Sequence, residues 1–534
     1  IMIAVLLNWF YIFFITQLLG FGFGKYLSKF LKRDIPCNLS QNVICGIVIA
    51  TVYAQFFSLF YKVGLLANLI LLILCLITLF QYNKEILSLL KDVKTTAFSW
   101  EGCLYLGILI LIAFFTSRGP IHADTNMYHA QAIRWYEEYG VVTGLANLQW
   151  HFAYNSSYFG LAAIFSMSFL GGQSLHTTTG FIAAVLCIWA LHHLKDFFNH
   201  KRHIADMCCM GILLYALVNL TGSISPASDY ATMFLSLYLI ARWAEEIESE
   251  AKGITAYCLL SILAVYVFTL KLSAGLLVLL VIYPAVFLIK QKRGKEIITY
   301  LTLGILTVLP FLIRNVIISG WLLYPFPALD LFSVDWKLPV QYVNIDSAQI
   351  KVWARCLYDP KLIDTPFLEW LPIWWSSQER YAQMLILTNL LALALDGIIV
   401  LHVLLQKKQI NWNLVLLNTV TILSAVAWLF LAAFIRYGLA FLLAIPMLAV
   451  GMWMQKEKSS FYKLLSGCIV VLMFFVLTPY WDHYFTDDLV FIKQNLTEPY
   501  YIMQKDYDHS DMQTFDMNGI TIFNPKEGEV TGYQ

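Results

Sequence analysis

Charged residues are scarce in this 534-residue chain. Asp, Glu, Lys and Arg make up 13% of it, whereas globular domains carry about 25%. The apolar set AVILMFWYC makes up 59%, and the mean hydropathy is +0.68. This composition excludes a soluble protein and a disordered one, since neither keeps so much apolar surface in contact with water. The sequence therefore predicts an integral membrane protein that crosses the bilayer many times.

Motifs for nucleotide binding are also lacking. Neither G-x-x-x-x-G-K-[ST] nor G-x-G-x-x-G occurs, and the loops on the basic side are too short for a nucleotide-binding domain. This argues against a single-chain ATP-driven pump and against an enzyme that faces the cytosol and uses nucleotide sugars. No internal repeat is visible, although many transporters are built from duplicated halves. Of ten cysteines only Cys356 lies in a predicted external segment, so a disulfide framework is excluded as well.

Long apolar runs, each close to the ~20 residues of a membrane-spanning helix, are abundant. The predicted spans are 3–23, 43–60, 64–81, 102–117, 175–194, 204–222, 228–244, 254–269, 273–290, 297–318, 383–405, 413–430, 433–454 and 463–480. One side of these spans holds 21 of the 35 Lys and Arg residues, which marks that side as cytoplasmic. We therefore expect an all-α polytopic protein of a bacterial inner membrane, with about fourteen transmembrane helices and both termini in the periplasm.

The spans divide the chain into five regions. We expect accessory helices over 1–100, a transmembrane core over 101–318 with a first external loop at 118–174, an external loop at 319–382, further spans over 383–480, and a small external segment at 481–534 with a strand at 519–523. The 319–382 loop is rich in Pro and Trp. Its Trp residues are more typical of an interfacial belt than of a sugar-binding lid, although both remain open.

The first external loop contains a predicted juxtamembrane helix that begins near Asp124 and Thr125 and ends at Gly140. Its mostly aromatic stripe consists of Tyr128, Ala132, Trp135 and Tyr139. Such a stripe is typical of a helix that lies in the membrane interface rather than crossing it. The helix would hold Asp124 just above the bilayer, either as a functional carboxylate or simply as a helix N-cap.

The stretch Ala-Asp-Thr-Asn-Met-Tyr-His-Ala-Gln-Ala at 123–132 resembles the first external loop of the GT-C superfamily of membrane glycosyltransferases. The stretches Arg-Trp-Tyr-Glu-Glu-Tyr-Gly at 134–140 and Phe-Ala-Tyr-Asn-Ser-Ser at 152–157 resemble an uncharacterised bacterial family of polytopic membrane proteins. The second similarity covers more of the chain and implies no activity. The first implies a GT-C-like fold and an inverting enzyme at the external face.

The GT-C resemblance implies transfer of a sugar from a polyprenyl-phosphate donor to a hydroxyl of a glycan, lipid or protein acceptor. Membrane lipids are the other expected partners, and nucleic acid is not one. Asp124 would be the catalytic base. A second acid often accompanies the first in this superfamily, and the candidate is Asp229, which could equally be a helix N-cap. Some superfamily members carry an acid pair together in the first loop, and this sequence does not, which leaves metal dependence open. The sequence itself requires no cofactor, and a divalent metal is possible but unsupported.

A departing phosphate needs a cation near the interface. Arg436 lies at the external end of a predicted span, where a charge is costly unless it is paired or functional; snorkelling to lipid headgroups is the alternative. Arg436-Tyr437 followed by Pro446 resembles an Arg-aromatic…Pro pattern in late helices of GT-C enzymes. Arg314 and Lys271 have similar positions at span ends.

Five other side chains of the first external loop are candidate substrate contacts: Tyr128, His129, Arg134, His151 and Asn155. No metal site is predicted, because His122, His129 and His151 match neither H-x-x-x-H nor H-E-x-x-H.

Two alternatives remain open beside the glycosyltransferase. A transporter or flippase of a lipid-linked saccharide usually carries paired charges or broken helices near the bilayer midplane. Here most charges associated with spans lie at their external ends, and Asp396 is the main exception. A polysaccharide polymerase or ligase is close to the leading hypothesis in chemistry and differs from it in substrate.

Overall fold

The computed structural model describes residues 2–35, 38–117, 122, 124–195, 197, 202–220, 222, 225–249, 253–407, 409–455 and 512–525. In chain order the α-helices are α1 (Met2–Leu31), α2 (Leu39–Ser58), α3 (Leu65–Gln81), α4 (Asn83–Ala97), α5 (Trp100–Thr116), α6 (Ala130–Glu138), α7 (Ser157–Phe165), α8 (Ser168–Gly171), α9 (Thr178–Leu194), α10 (His203–Val218), α11 (Ser228–Glu248), α12 (Ile254–Leu270), α13 (Ile282–Lys290), α14 (Gly294–Ser319), α15 (Val340–Ala354), α16 (Phe367–Ser377), α17 (Arg380–Leu405), α18 (Trp412–Leu431) and α19 (Ile435–Met454). A π-helical turn, Thr125–His129, leads into α6, and the 3-10 helices are Leu145–Asn147, Trp150–Tyr154, Leu272–Val281 and Pro360–Leu362. The strands β1 (Met512–Met517) and β2 (Ile520–Pro525) pair as an antiparallel hairpin.

The molecule is a helical membrane protein. Among the described residues, seven helical segments are long and apolar enough to cross a membrane: α1, α2, α14, α17, α18, α19 and Leu272–Lys290. The number rises to eight if α3 and the start of α4, which meet at a 92° bend, form one broken span. Four more apolar helices, α5, α9, α10 and α12, are shorter. Every predicted span coincides with a helix except 463–480, which lies outside the described residues, and the total of fourteen spans stays a prediction.

The outermost helices turn large apolar side chains away from the protein. On α3, Ile73 and Ile77 are exposed, and on α14 Ile298, Leu301 and Ile305 are exposed. Such continuous apolar surfaces are unfavourable in contact with water on a monomer and are stable in contact with lipid tails. These helices therefore form the lipid-facing layer, and α11 and α19, which bury most of their residues, lie at the centre.

Two glycines bring α1 and α2 into close contact. A Cβ atom at Gly46 would lie 1.9 Å from the backbone oxygen of Thr16, and one at Gly20 would lie 1.9 Å from that of Asn42. No side chain fits at either position, so the backbones of the two helices touch directly. Small residues permit such crossings in membranes, where association depends on van der Waals packing.

The bundle has two distinct ends. Near the start of α1, Trp9 donates its indole N–H to the carbonyl oxygen of Thr177, just before α9. At the far end of α1, the Arg33 guanidinium lies 3.4 Å from the Glu296 carboxylate in the first turn of α14. The start of α1 therefore lies beside the start of α9, and the end of α1 lies beside the start of α14.

The 319–382 segment is more ordered than a loop. It contains α15 and α16, and two of its tryptophans are core residues rather than members of a belt or a lid. Trp370 and Trp374 are almost fully buried, and the Trp374 indole donates to the carbonyl oxygen of Ala433. In the C-terminal segment, the predicted strand at 519–523 falls on β2, which pairs with β1.

Candidate active site

Four segments far apart in the chain meet at the end of the bundle where α11 and α19 begin. His122 and Asp124 precede the π-helical turn, Asp229 lies in the first turn of α11, Lys271 follows α12, and Arg436 opens α19. We call the set of His122, Asp124, Asp229, Lys271, Arg436 and Tyr437 the carboxylate–cation cluster. It includes two carboxylates and two cations, so its charges balance.

The Arg436 guanidinium is the centre of the carboxylate–cation cluster. Its Nη2 lies 3.3 Å from Asp124 Oδ2, and its Nε lies 3.4 Å from Asp229 Oδ2. Its Nη1 lies 2.7 Å from His122 Nε2, and Nη2 also donates to the Tyr437 hydroxyl at 3.1 Å. One guanidinium therefore contacts two acids from different segments, and its five donors lie in a fixed plane, whereas an ammonium has three donors on a single nitrogen.

Lys271 supplies the second cation. Its Nζ donates a hydrogen bond to Asp229 Oδ1 and lies 3.5 Å from the centre of the Tyr437 ring. Asp229 thus bridges Lys271 and Arg436 through its two oxygens. A buried carboxylate held by two cations is stable in place, because each charge is compensated where it is removed from water.

The His122 imidazole is held as an acceptor. A guanidinium can only donate, so Nε2 is the acceptor in the 2.7 Å contact with Arg436. The backbone N–H of Asp124 donates to the other ring nitrogen, Nδ1, at 3.2 Å, and Nδ1 lies 3.7 Å from Asp124 Oδ2. A neutral imidazole accepts at one nitrogen only, so these two donors compete for its single lone pair. Burial, and then the positive charge of Arg436, lower the pKa of His122, while Asp124 opposes the shift.

The side chains of the carboxylate–cation cluster differ in their exposure to solvent. The side chains of Asp229 and His122 are 7% and 8% exposed, whereas those of Asp124 and Arg436 are 25% and 36% exposed. Among the described residues nothing donates a hydrogen bond to Asp124 Oδ1. The outer face of the cluster therefore presents a free carboxylate oxygen beside a cation, a pairing that can accept a proton and hold an anion.

Neither acid acts as a helix cap. Asp124 occupies the residue before the π-helical turn, and its side chain makes no capping hydrogen bond. Asp229 is the second residue of α11, and the N-cap residue of that helix is Ala227. Both side chains instead point to Arg436, so the N-cap alternatives are wrong for both residues.

The predicted residues Tyr128, His129 and His151 line one side of the carboxylate–cation cluster. The His129 ring lies 5.5 Å from the His122 ring, and Tyr128 stacks on His151 at 5.3 Å. His129 is fully enclosed, and burial followed by repulsion from His122 lowers its pKa well below the usual value. These aromatic rings keep water from the inner side of the cluster.

Arg314 and Asn155 form a separate buried cluster. Arg314 is 2% exposed, donates to Ser58 Oγ at 2.6 Å and to Asn155 Oδ1 at 3.2 Å, and lies 3.7 Å above the Tyr136 ring. Asn155 also donates to Asn315. The structure does not bring the predicted phosphate contact Arg314 or the predicted substrate contact Asn155 to the carboxylate–cation cluster, because their polar atoms are used inside the protein to join α2, α6 and α14.

Arg134 is also occupied elsewhere. It donates to the carbonyl oxygen of Gly172 at 2.8 Å and pairs with Glu138 at 3.1 Å and with Glu137 at 3.5 Å. Its predicted role as a substrate contact is not supported by these contacts, which fasten α6 to the turn after α8. The buried face of α6 consists of Ala130, Ile133, Tyr136 and Glu137.

His122 is the member of the carboxylate–cation cluster that the sequence analysis does not predict as a site residue, because it considers His122 only as a possible zinc ligand. Its position two residues before Asp124 was the available signal. In the part of the chain that the structure describes, no three His, Cys, Asp or Glu side chains are placed to hold a metal ion.

The sequence profile of a domain of unknown function, DUF8201, matches residues 2–443. The chain belongs to this family. No curated protein and no solved structure matches it. The matched region contains every residue of the carboxylate–cation cluster.

Proposed function

We propose that this member of the DUF8201 family is an inverting membrane glycosyltransferase of the GT-C type. It would move a sugar from a polyprenyl-phosphate donor to a hydroxyl acceptor at the external face of a bacterial inner membrane. The observation that carries the proposal is the convergence of Asp124 with Arg436, from segments more than 300 residues apart, at one end of the helical bundle.

Asp124 is the proposed base. The acceptor oxygen attacks the anomeric carbon as its proton passes to Asp124 Oδ1, and the bond from that carbon to the phosphate oxygen breaks. The polyprenyl phosphate leaves with the bonding electrons. Arg436 holds the carboxylate through Oδ2, so Oδ1 is fixed in position for the acceptor hydroxyl. The carboxylate stays ionised beside the guanidinium until it takes the proton.

Arg436 and Lys271 are the proposed phosphate-binding residues. Both lie beside carboxylates before the donor arrives, so their charges are already positioned and need little rearrangement when negative charge develops on the leaving group. Asp229 is a positioning residue in this scheme, because it contacts both cations from the buried side.

The test is the variant Asp124→Asn, assayed for transfer of labelled sugar from a polyprenyl-phosphate donor. Loss of the base predicts a decrease of about 10²–10⁴-fold in kcat, the usual contribution of a positioned general base. The matched control is Asp364→Asn, which removes an exposed acid from the 319–382 segment. Wild-type turnover by a folded Asp124→Asn protein would refute the assignment of the base.

A transporter of a lipid-linked saccharide is the second candidate. It is favoured by Asp396, a buried acid inside the apolar helix α17 that accepts a hydrogen bond from Asn418 at 3.0 Å. An ionisable side chain inside a span is usually functional. Vesicle flux of the lipid-linked saccharide without formation of a glycosylated product would favour this function, and Asp396→Asn would then abolish the flux.

A further inference from the structure

A cavity of about 370 Å³ lies at the opposite end of the bundle from the carboxylate–cation cluster. It lies between the last turn of α1 and the elbow that joins α3 to α4. The residues that line it are Lys25, Ser28, Lys29, Lys32, Arg33, Asp34 and Tyr82. We call it the basic cavity. Its volume falls in the range of ligand sites, which is roughly 300–1,000 Å³.

The end of α1 builds the rim of the basic cavity. Lys32 adopts a positive φ of 55°, and the backbone N–H of Arg33 donates to the carbonyl oxygen of Ser28. This is the pattern of a helix that stops by turning back on its last carbonyls. The turn holds Lys29, Lys32 and Arg33 around one opening instead of letting them spread along a continuing helix.

The positive charge in the basic cavity exceeds the negative charge around it. Lys25 pairs with Glu85 and Arg33 pairs with Glu296. Lys29 and Lys32 have no acidic partner within 4 Å among the described residues, and Asp34 is the only acid in the lining. The two lysines are exposed, so they are free to bind an anion.

The two helices that border the basic cavity also carry exposed apolar side chains. Phe30, next to Lys29 in sequence, is 57% exposed, and Phe80, two residues before Tyr82, is 76% exposed. Phe80 belongs to α3, a helix of the lipid-facing layer, and Phe30 belongs to α1. An anionic group bound among the lysines would therefore lie next to apolar surface that faces lipid, which is where a membrane phospholipid has its headgroup.

We propose that the basic cavity binds the phosphate headgroup of an anionic membrane lipid, with Lys29 and Lys32 as its principal contacts. Basic pockets between transmembrane helices on the cytoplasmic side suit such headgroups, and that is the side to which the Lys and Arg excess assigns this end of the bundle. The site is independent of the proposed glycosyl transfer, because it lies at the other end of the molecule.

The test measures binding of fluorescent phosphatidylglycerol and of fluorescent phosphatidylcholine to the purified full chain in detergent. We expect the anionic lipid to bind more tightly. The double variant Lys29→Gln/Lys32→Gln should weaken its binding about 30-fold, since each lysine near a lipid phosphate contributes about 1 kcal/mol.

The matched control is Lys290→Gln/Lys292→Gln, which removes the same charge from an exposed turn at the same end of the bundle, outside the basic cavity. Equal loss in both double variants would overturn the proposal, because it would indicate general attraction to the surface. Equal binding of phosphatidylcholine would overturn it as well. Release of the lipid by millimolar inorganic phosphate would show that the cavity recognises free phosphate, and the assignment to a lipid would fall.

Discussion

Replacement of Arg436 by Gln removes the charge at the centre of the carboxylate–cation cluster and keeps a polar side chain of similar reach. Two unit charges 3.3 Å apart, the separation of Arg436 and Asp124, interact by about 5 kcal/mol at an effective dielectric constant of 20 and by about 1.3 kcal/mol in water. The Arg436 side chain is 36% exposed, so solvent screening brings the contribution to about 3 kcal/mol.

A leaving phosphate that approaches Arg436 at the same distance gains about as much. We therefore expect Arg436→Gln to lower kcat about 10²-fold, with a smaller change in KM, because the interaction strengthens as charge develops in the transition state. The assay is steady-state transfer from a labelled polyprenyl-phosphate sugar. Arg436→Lys keeps the charge, but its three donors on one nitrogen cannot reproduce the four contacts of the guanidinium. Its kcat should therefore fall between that of the wild type and that of Arg436→Gln.

The variant should remain folded, since Asp229 keeps Lys271 as a partner. Arg380→Gln, which removes an exposed arginine at the start of α17, is the matched control and should leave kcat unchanged. If Arg436→Gln protein that elutes as wild type in size-exclusion chromatography also keeps kcat within threefold, the reasoning about the phosphate site is wrong.

Two further predictions concern stability. Gly46→Ala should destabilise the protein in detergent by about 1–3 kcal/mol or more, measured as a lower Tm, because its Cβ would meet the backbone of α1. The control Gly107→Ala, at an open position of α5, should leave the Tm unchanged or raise it slightly. Equal changes of Tm in the two variants would contradict the packing argument. The pKa of His129 is lowered in the folded state, so its contribution to stability is complete above the unfolded value near 6.5 and is lost as the pH falls toward the folded pKa, at about 1.4 kcal/mol per pH unit. The raised pKa of buried Glu137 changes stability with pH in the opposite direction, so the measurement compares wild type with His129→Gln. Between pH 7 and pH 5 the Tm should fall less in the variant than in the wild type. Equal falls would refute the assignment of this pH dependence to His129.

Helix positions were predictable because apolar runs of nearly twenty residues have few alternative structures. The number of spans was not, because α9, α10 and α12 have at most 17 residues each, and a short apolar helix can cross a membrane or remain inside the bundle. The helices α15 and α16 were missed because Pro and Trp in 319–382 were interpreted as loop and interface residues. These helices are buried against α18 and the residues before α19, and such contacts between distant segments cannot be predicted from the local sequence.

Single residues of the carboxylate–cation cluster were predictable from residue type, since a charge at the end of an apolar span is costly without a role. Their proximity was not, because Asp124, Asp229, Lys271 and Arg436 are separated by at least 42 residues along the chain. Arg314 shows the limit of this reasoning. It lies near a span end like Arg436, yet its helix face points toward Ser58 and Asn155, and a span boundary alone does not define which face is buried.

The position of Arg436 in the chain has a consequence for biogenesis. Translation delivers Asp124, Asp229 and Lys271 well before Arg436, so the half-made protein holds two carboxylates against one ammonium. One negative charge stays uncompensated at this end of the bundle until α19 packs against α10 and α17. Docking of that late helix is thus favoured by electrostatic attraction as well as by packing, and a chain interrupted before residue 436 would lack the central cation of the proposed transfer.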